Sequence, residues 1–565
     1  MTAGTLLLDA AALSGLYGLF VRTSGPQIRG GEAAALLRLG TTPLDTLDDK
    51  FDMLLAIDWM NLNRFADEIP LGPDSLLVGD ADEGEAPEVL RASGARCVAL
   101  PLKRCAKATG GWVNMVALGY AGTIVGLPAE AMESALRTSW KRGPEALAKN
   151  MAALRDGVAQ AQALDGQRPP PLPVPAAPQT SGRWLLSGNE AAGCGALRGG
   201  VRFVAAYPIT PATELLEWMA PALAKVGGTL LQAEDELASI NMIIGASYGG
   251  VPSLTATAGP GLALMTEGIG LAVTAEVPVV VVDVMRGGPS TGIPAKSEQS
   301  DLSFAVDGLH GDAPRLVLAP NSIADCLGTT EWAVQLAEAL QAPALVLSDQ
   351  FMGQSRAVID RPQTAAVPAQ RLVAQAVEGE PYCRYLDTPT GISPMARPGT
   401  PGTIYTADGL EHTERGIPSS QAADHIRQLN KRERKLLQHD YGTRWADVEG
   451  DGELAIITFG STTAAVREAV ARLAAQGTAL RVVSLRLIAP LKQEVLDAAL
   501  AGVRQVLVVE QNHGGQLLRY LRSRVDLPGR PRGLHRPGPL PLRPGDLVTE
   551  FADWAASVRP QEVIA

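Results

Sequence analysis

The chain has 565 residues, 46% of them hydrophobic but only 4% aromatic, and a formal net charge of −11. That length predicts about three or four domains, with cores built mainly of aliphatic side chains and alanine. The acidic balance excludes the basic surface usual in a nucleic-acid-binding protein, though not a local cationic pocket for an anionic substrate.

No apolar run reaches the roughly 20 residues of a membrane-spanning helix, so no membrane association is expected. The N-terminal stretch is apolar but lacks a basic lead and carries Asp9, which reads as a domain helix rather than a signal peptide. Cys97, Cys105, Cys194, Cys326 and Cys383 are scattered, with no C-x-x-C pair. They predict reduced, buried, inert thiols in a cytoplasmic protein and no zinc or iron–sulfur ligand set on this chain.

Residues 1–164 read as an α/β domain. Apolar spacing predicts a helix over 6–20, and 51–58, 75–78 and 97–100 read as strands. Opening on a helix is unusual for a strand-first α/β fold; either a strand and turn are missing from the start or the unit is built differently. In S-G-P-Q-I-R-G-G-E (24–32), Arg29 either holds an anion beside closely approaching glycine backbone or is a solvated side chain on a tight turn. Residues 165–183 are proline-rich and predict a stiff extended tether, with a docking segment the weaker alternative.

Over 184–360, strands predicted at 202–206, 229–232, 253–257, 279–284, 315–319 and 344–348 alternate with helical patterns that include 212–220, 236–245 and 262–273. That alternation implies a parallel sheet covered on both faces. Residues 361–450 form an irregular segment rich in turn formers, ending in a charged helix at 425–437 whose charges predict a solvated face. Residues 451–565 read as a further α/β unit, with strands at 454–458, 480–484 and 505–509 and a helix at 465–476.

Four strings fall where predicted strands end: Y-P-I-T-P (207–211), Q-A-E-D-E-L-A-S (232–239), T-A-G-P-G (257–261) and V-V-V-V-D-V-M-R-G-G-P-S-T-G (279–292). In an open parallel sheet such exits line one edge and form the ligand crevice. Thr210, before a proline, is either free to bind a ligand or an N-cap with proline at N1. Arg286 follows a buried strand and needs an anion, which is either a ligand or a structural partner such as Asp283 or Asp301. Glu234, Asp235 and Glu236 all suit a helix N-terminus. Thr257, Gly259 and Gly261 shape a turn that either admits a ligand or only joins strand to helix. Lys296 sits in a loop, where exposure is the default. In E-Q-N-H-G-G-Q-L (510–517), Asn512 and His513 line either the crevice or a domain contact.

Taken in order, these strings resemble the alpha subunit of the 2-oxoacid:ferredoxin oxidoreductases with a gamma domain fused ahead of it. The similarity is greatest to the 2-oxoglutarate branch, and it covers nearly the whole chain. G-P-Q-I-R-G-G-E is similar to the gamma domain's G-P-E-M-R-G-G, whereas the strand and glycine-rich turn that open that domain lie ahead of this sequence as written.

The resemblance implies a multidomain α/β protein with a pyrimidine-type thiamine-diphosphate domain and a transketolase C-terminal-like domain. It implies a reversible reaction in which a 2-oxoacid, coenzyme A and oxidised ferredoxin give acyl-CoA, carbon dioxide and reduced ferredoxin. It further implies a separate beta subunit that shares thiamine diphosphate and carries Mg2+ and a 4Fe–4S cluster, in an (alpha–beta)2 assembly. This chain has no G-D-G…N diphosphate motif, which fits that division. By the same resemblance Glu236 is the cofactor-activating acid, with Glu234 the runner-up. Thr257 and Gly259 bind the cofactor, Thr210 and Arg286 bind the substrate carboxylate, and Lys296 meets the distal carboxylate of a dicarboxylic substrate. Two other classes remain as alternatives: a ferredoxin-independent thiamine enzyme component, and a non-catalytic assembly subunit.

Overall fold

The computed structural model describes residues 1–25, 33–64, 66–164, 169–176, 178–376 and 378–558. Arg29 and most of its loop therefore lie outside the described residues. Among the described residues no helix is long and apolar enough to cross a membrane.

A first compact unit comprises Met1–Leu186, Ser355–Pro362 and Arg543–Asp546. Its opening helix, Thr2–Leu13, stops where Ser14 Oγ donates to the Ala10 carbonyl at 2.8 Å and Gly15 takes a positive φ. Tyr17–Ser24 is then a strand, so the helix expected across 6–20 is corrected to a helix, a turn and a strand. This strand is buried along almost its whole length, and such a run carries no clean two-residue alternation to tell it from a helix.

It pairs antiparallel with Ala33–Gly40 on one side and with Arg356–Asp360 on the other; Arg183–Ser187 completes the sheet. Arg356–Asp360, which closes the second domain by sequence, is thus part of the first unit's sheet. A separate parallel sheet contains Met53–Leu55, Leu76–Asp80 and Arg96–Leu100. The strand expected over 51–58 shrinks to three half-buried edge residues. Cys97, expected to be buried, is exposed on the other edge strand.

The second unit holds Ser187–Gln354, Gln363–Leu542 and Leu547–Ala565. Its main sheet runs in the order Leu487–Ala489, Leu316–Leu318, Ala344–Asp349, Val280–Met285, Ser253–Thr257, Phe203–Ala206, Thr229–Gln232. All but the first are parallel. The central strands are wholly buried, as continuous apolar runs in a doubly covered parallel sheet require. A second sheet orders Ala446–Glu449, Arg481–Leu485, Leu454–Phe459, Gln505–Glu510 and Arg532–His535.

The charged helix, observed as Ala422–Leu437, overturns the expectation of a solvated face. Lys431 and Lys435 are one turn apart on its inner side, and both reach Glu276. Glu276 is itself fully buried, just past the end of the helix Gly259–Thr274. Lys431 Nζ lies 2.6 and 2.8 Å from its two oxygens, and Lys435 Nζ 2.9 Å from one. Arg384 donates to the Glu276 carbonyl at 2.8 Å. Burial opposes the Glu276 charge, but Lys431, Lys435 and Arg384 outweigh it and hold the acid well below the usual carboxylate range. Burial also pushes Lys435 down to about 8.

Candidate active site

The strand exits of the main sheet converge as the parallel topology requires. Asp235 caps the helix Glu236–Tyr248, its Oδ1 accepting from the Ala238 amide at 2.7 Å. Of the three adjacent acids, Glu234 is exposed, Asp235 is used in the cap, and Glu236 is buried at 6% exposure. Among the described residues the Glu236 carboxylate makes no hydrogen bond or ion pair. A buried acid with its hydrogen-bonding capacity unspent is costly unless a ligand takes it up.

Gly261 faces this acid across the next exit. A Cβ on Gly261 would lie 2.0 Å from Thr257 Oγ1 and 2.6 Å from Glu236 Oε1, so the absence of a side chain is what lets the acid sit there. Thr257 is fully buried at the end of its strand. Gly259 opens the helix Gly259–Thr274, and a Cβ there would strike the Asp301 carboxylate at 2.6 Å.

Arg286 emerges from the end of Val280–Met285, 6% exposed, and its Nη1 donates to the Thr210 carbonyl. The helix after Thr210 starts at Thr213, with Ala212 in the N-cap position, so the alternative of Thr210 as an N-cap is set aside. Among the described residues Arg286 forms no ion pair, and its Nε is buried with no hydrogen-bond partner. The alternative of a structural ion pair with Asp283 or Asp301 is therefore not realised at contact distance. Both acids still act on the guanidinium electrostatically, against the burial that lowers its pKa.

Lys296, half-buried, belongs to a loop folded back on the Arg286 segment: its carbonyl accepts from the Gly287 amide at 3.1 Å. That loop is clamped from the second sheet. The Gln299 amide donates to the Gln511 carbonyl and the Gln511 amide to Gln299 Oε1, at 2.8 Å each, and Gln299 Nε2 donates to the Phe459 carbonyl at 2.7 Å. Gln516 bridges the Ser300 carbonyl and the Ser303 amide at 2.8 Å each. Asn512 donates to the Gln299 carbonyl at 3.3 Å and to Glu510 at 2.6 Å, whereas His513 is exposed. E-Q-N-H-G-G-Q is thus the clamp on this loop. Gln299 and Gln516 were missed from sequence; their polar character inside otherwise structural strings was the available signal.

One further group was expected only as an ion partner for Arg286. Asp283 is fully buried in the central strand, and among the described residues neither carboxylate oxygen has a hydrogen-bond partner. Burial raises its pKa well above the ordinary value, the Asp301 charge adds to this, and Arg286 opposes it.

The carboxyl ends of these parallel strands thus bring together a buried acid and a buried arginine that, among the described residues, have no ion partner. The comparisons supply the class. Residues 194–431 match the family profile described as pyruvate flavodoxin/ferredoxin oxidoreductase, thiamine diphosphate-binding. Residues 1–160 match pyruvate ferredoxin/flavodoxin oxidoreductase, and 445–516 match the transketolase C-terminal domain.

The 2-oxoacid:ferredoxin oxidoreductase 2 subunit alpha of Aeropyrum pernix is 33% identical, over 77% of this chain and 72% of that relative. The 2-oxoglutarate synthase subunit KorA of Methanothermobacter marburgensis is 36% identical, over 59% of this chain and 88% of that relative. Among solved structures, 2-oxoglutarate:ferredoxin oxidoreductase from Magnetococcus marinus, with 2-oxoglutarate, coenzyme A and succinyl-CoA bound, superposes with a TM-score of 0.89. It is 37% identical, covering 98% of this chain and 96% of that one. The chain belongs to the 2-oxoacid:ferredoxin oxidoreductase family, as an alpha subunit.

Proposed function

We propose that this chain, with a beta subunit, catalyses the reversible, CoA-dependent oxidative decarboxylation of 2-oxoglutarate to succinyl-CoA and carbon dioxide, with reduction of ferredoxin. In this reading residues 1–164 are a gamma-type domain joined ahead of the alpha portion. The beta subunit supplies Mg2+, a 4Fe–4S cluster and the diphosphate side of the cofactor site, in a cytoplasmic (alpha–beta)2 enzyme. The observation that carries it is a buried Glu236 and a buried Arg286, neither with an ion pair among the described residues, at two strand exits on the same carboxyl edge of the sheet. The M. marinus enzyme, similar along nearly the whole chain, is described with 2-oxoglutarate bound, which favours that substrate.

The residues fit the aminopyrimidine side of thiamine diphosphate: Glu236 has a free carboxyl, and Thr257, Gly259 and Gly261 leave room before it. Thiamine diphosphate, when bound, supplies the carbanion chemistry of decarboxylation. Glu236 would hydrogen-bond the ring that docks there. Arg286, kept in place by the Thr210 carbonyl, binds the carboxylate next to the oxo group. Lys296 neutralises the distal carboxylate.

The test is the chain co-purified with its beta subunit and assayed for CoA-dependent reduction of a low-potential acceptor across several 2-oxoacids. The expected result is the highest kcat/KM for 2-oxoglutarate; a preference for pyruvate, a branched-chain oxoacid or indolepyruvate overturns the substrate. Glu236→Gln should cut turnover by about 100-fold or more while the subunits still assemble. Near-normal turnover in that variant removes Glu236 from the chemistry.

A further inference from the structure

Three groups at one sheet edge are left with unsatisfied buried polar atoms: both oxygens of Asp283, Oδ2 of Asp301 and Nε of Arg286. Asp283 points to the same face of the sheet as its register partners Thr257 and Leu347, the face on which Asp349 also lies. Asp301 sits over Gly259 at the next exit, with Ser300 Oγ 3.3 Å from its Oδ1. The same Ser300 hydroxyl is 2.8 Å from the Arg286 carbonyl, so the Asp301 loop and the arginine share an anchor.

An ionised carboxylate with no hydrogen bond, wholly inside a sheet, is far too costly to persist. Asp283 is therefore a neutral acid. The charge that balances Arg286 is on Asp301, which is half-buried and accepts from the Ser300 hydroxyl.

We propose that Asp283 and Asp301 form an acid pair that holds one proton in the free site and two in the substrate complex, so that docking of a 2-oxoacid carboxylate on Arg286 draws one proton from solvent onto Asp301. The inference rests on Arg286 being the carboxylate anchor. Its physical basis is charge balance. Arg286 and ionised Asp301 together are neutral; an arriving carboxylate leaves one excess negative charge in a poorly solvated site. That excess raises the proton affinity of the ionised carboxylate that acts on Arg286, Asp301.

The starting point favours this. Burial first, and Glu298 after it, raise Asp301 to about 6, opposed by Ser300 and Arg286, so a modest further rise carries it through neutral pH. The charged groups facing the pair are Arg286, Glu298 with His513 beyond it, Asp349 on the neighbouring strand and Glu236 across Thr257. Asp349 accepts from the Met352 amide at 3.0 Å, and Glu298 from the Gly538 amide at 3.1 Å. Asp283 and Asp301 are positioning residues here: they set the charge against which Arg286 binds.

The test uses the assembled enzyme and oxamate as an unreactive oxoacid mimic, titrated calorimetrically at pH 7 in buffers of different ionisation enthalpy. Uptake of a substantial fraction of one proton is expected in the wild type. In parallel, KM for the oxoacid should rise above pH 6, by up to about tenfold per pH unit, the limit for one linked proton. Asp301→Asn, fixed in the neutral form, should show no uptake and a flat KM, lower than the wild-type value at pH 8. Asp283→Asn imitates the neutral acid and should keep the uptake.

Absence of proton uptake in the wild type, persistence of uptake in Asp301→Asn, or its loss in Asp283→Asn overturns the proposal. Arg286→Lys separates the two readings. An unchanged KM in that variant removes the anchor itself. A raised KM with no proton uptake in the wild type keeps the anchor and removes only the acid pair.

Discussion

Replacing Gly261 with alanine probes how closely Glu236 must be held. The added methyl would stand 2.0 Å from Thr257 Oγ1, 2.6 Å from Glu236 Oε1 and 2.7 Å from Glu236 Cγ, all well inside contact distance. Thr257 is fixed in a buried strand, so the glutamate side chain must yield, by about 1 Å. Overpacking of this kind costs about 1–3 kcal/mol, and removing a helical glycine returns about 0.5–1 kcal/mol. The net loss is at most about 2.5 kcal/mol, so the protein still folds. A displacement of that size at a catalytic acid costs about 100-fold in rate.

The expected result is turnover down by about two orders of magnitude, with a modest fall in Tm and unchanged binding to the beta subunit. Gly270→Ala, in the same helix, is the control. Its new methyl would meet nothing nearer than His310 Nε2 at 4.0 Å, and both activity and Tm should be held or improved. Acceptor-reduction kinetics and thermal melts of the two variants decide the matter. Full turnover in Gly261→Ala would refute the assignment of Glu236 as the acid that must be placed to within an ångström.

Other outcomes follow from the same geometry. Lys296→Ala should raise KM for 2-oxoglutarate by about 10- to 100-fold, the worth of one charge-assisted hydrogen bond, and leave KM for pyruvate nearly unchanged; equal effects on both substrates would count against the distal-carboxylate role. Glu276→Gln leaves Lys431 and Lys435 without their carboxylate and should cost about 3–5 kcal/mol in denaturant melts. The folded pKa of Glu276 is lowered, so its contribution is present above the ordinary value of 4.5 and lost as pH falls through the folded value. Wild type and variant should therefore converge in stability only in strong acid, and a constant gap down to low pH would contradict this.

The central sheet could be read from sequence because a strand buried on both faces is a short apolar run between turn formers. The expected 229–232 and 253–257 are observed unchanged, and 344–348 is extended by one residue. The residues alone did not separate Glu236 from Glu234 and Asp235, since all three suit a helix start; resemblance chose Glu236, and burial sets it apart. Other features depend on partners remote in the chain. Lys431 pairs with an acid 155 residues earlier, and no local pattern distinguishes that from a solvated charge run. Asp283, inside a valine run, looked like a neighbour for Arg286; only the absence of any hydrogen bond reveals it as an isolated acid. The run at 6–20 misled because helix and fully buried strand differ little when nearly every residue is apolar.

Arg356–Asp360 bears on how the polypeptide can be divided. Tyr17–Ser24 has two strand neighbours, and this one enters the chain only after all six parallel strands of the second unit's main sheet. A cut in the proline-rich stretch would yield an N-terminal fragment with an open, apolar sheet edge, a template for self-association. Two polypeptides made separately would have to restore that sheet in trans, the downstream piece lending its strand to the upstream one. The covalent boundary and the folding boundary of this protein therefore lie in different places.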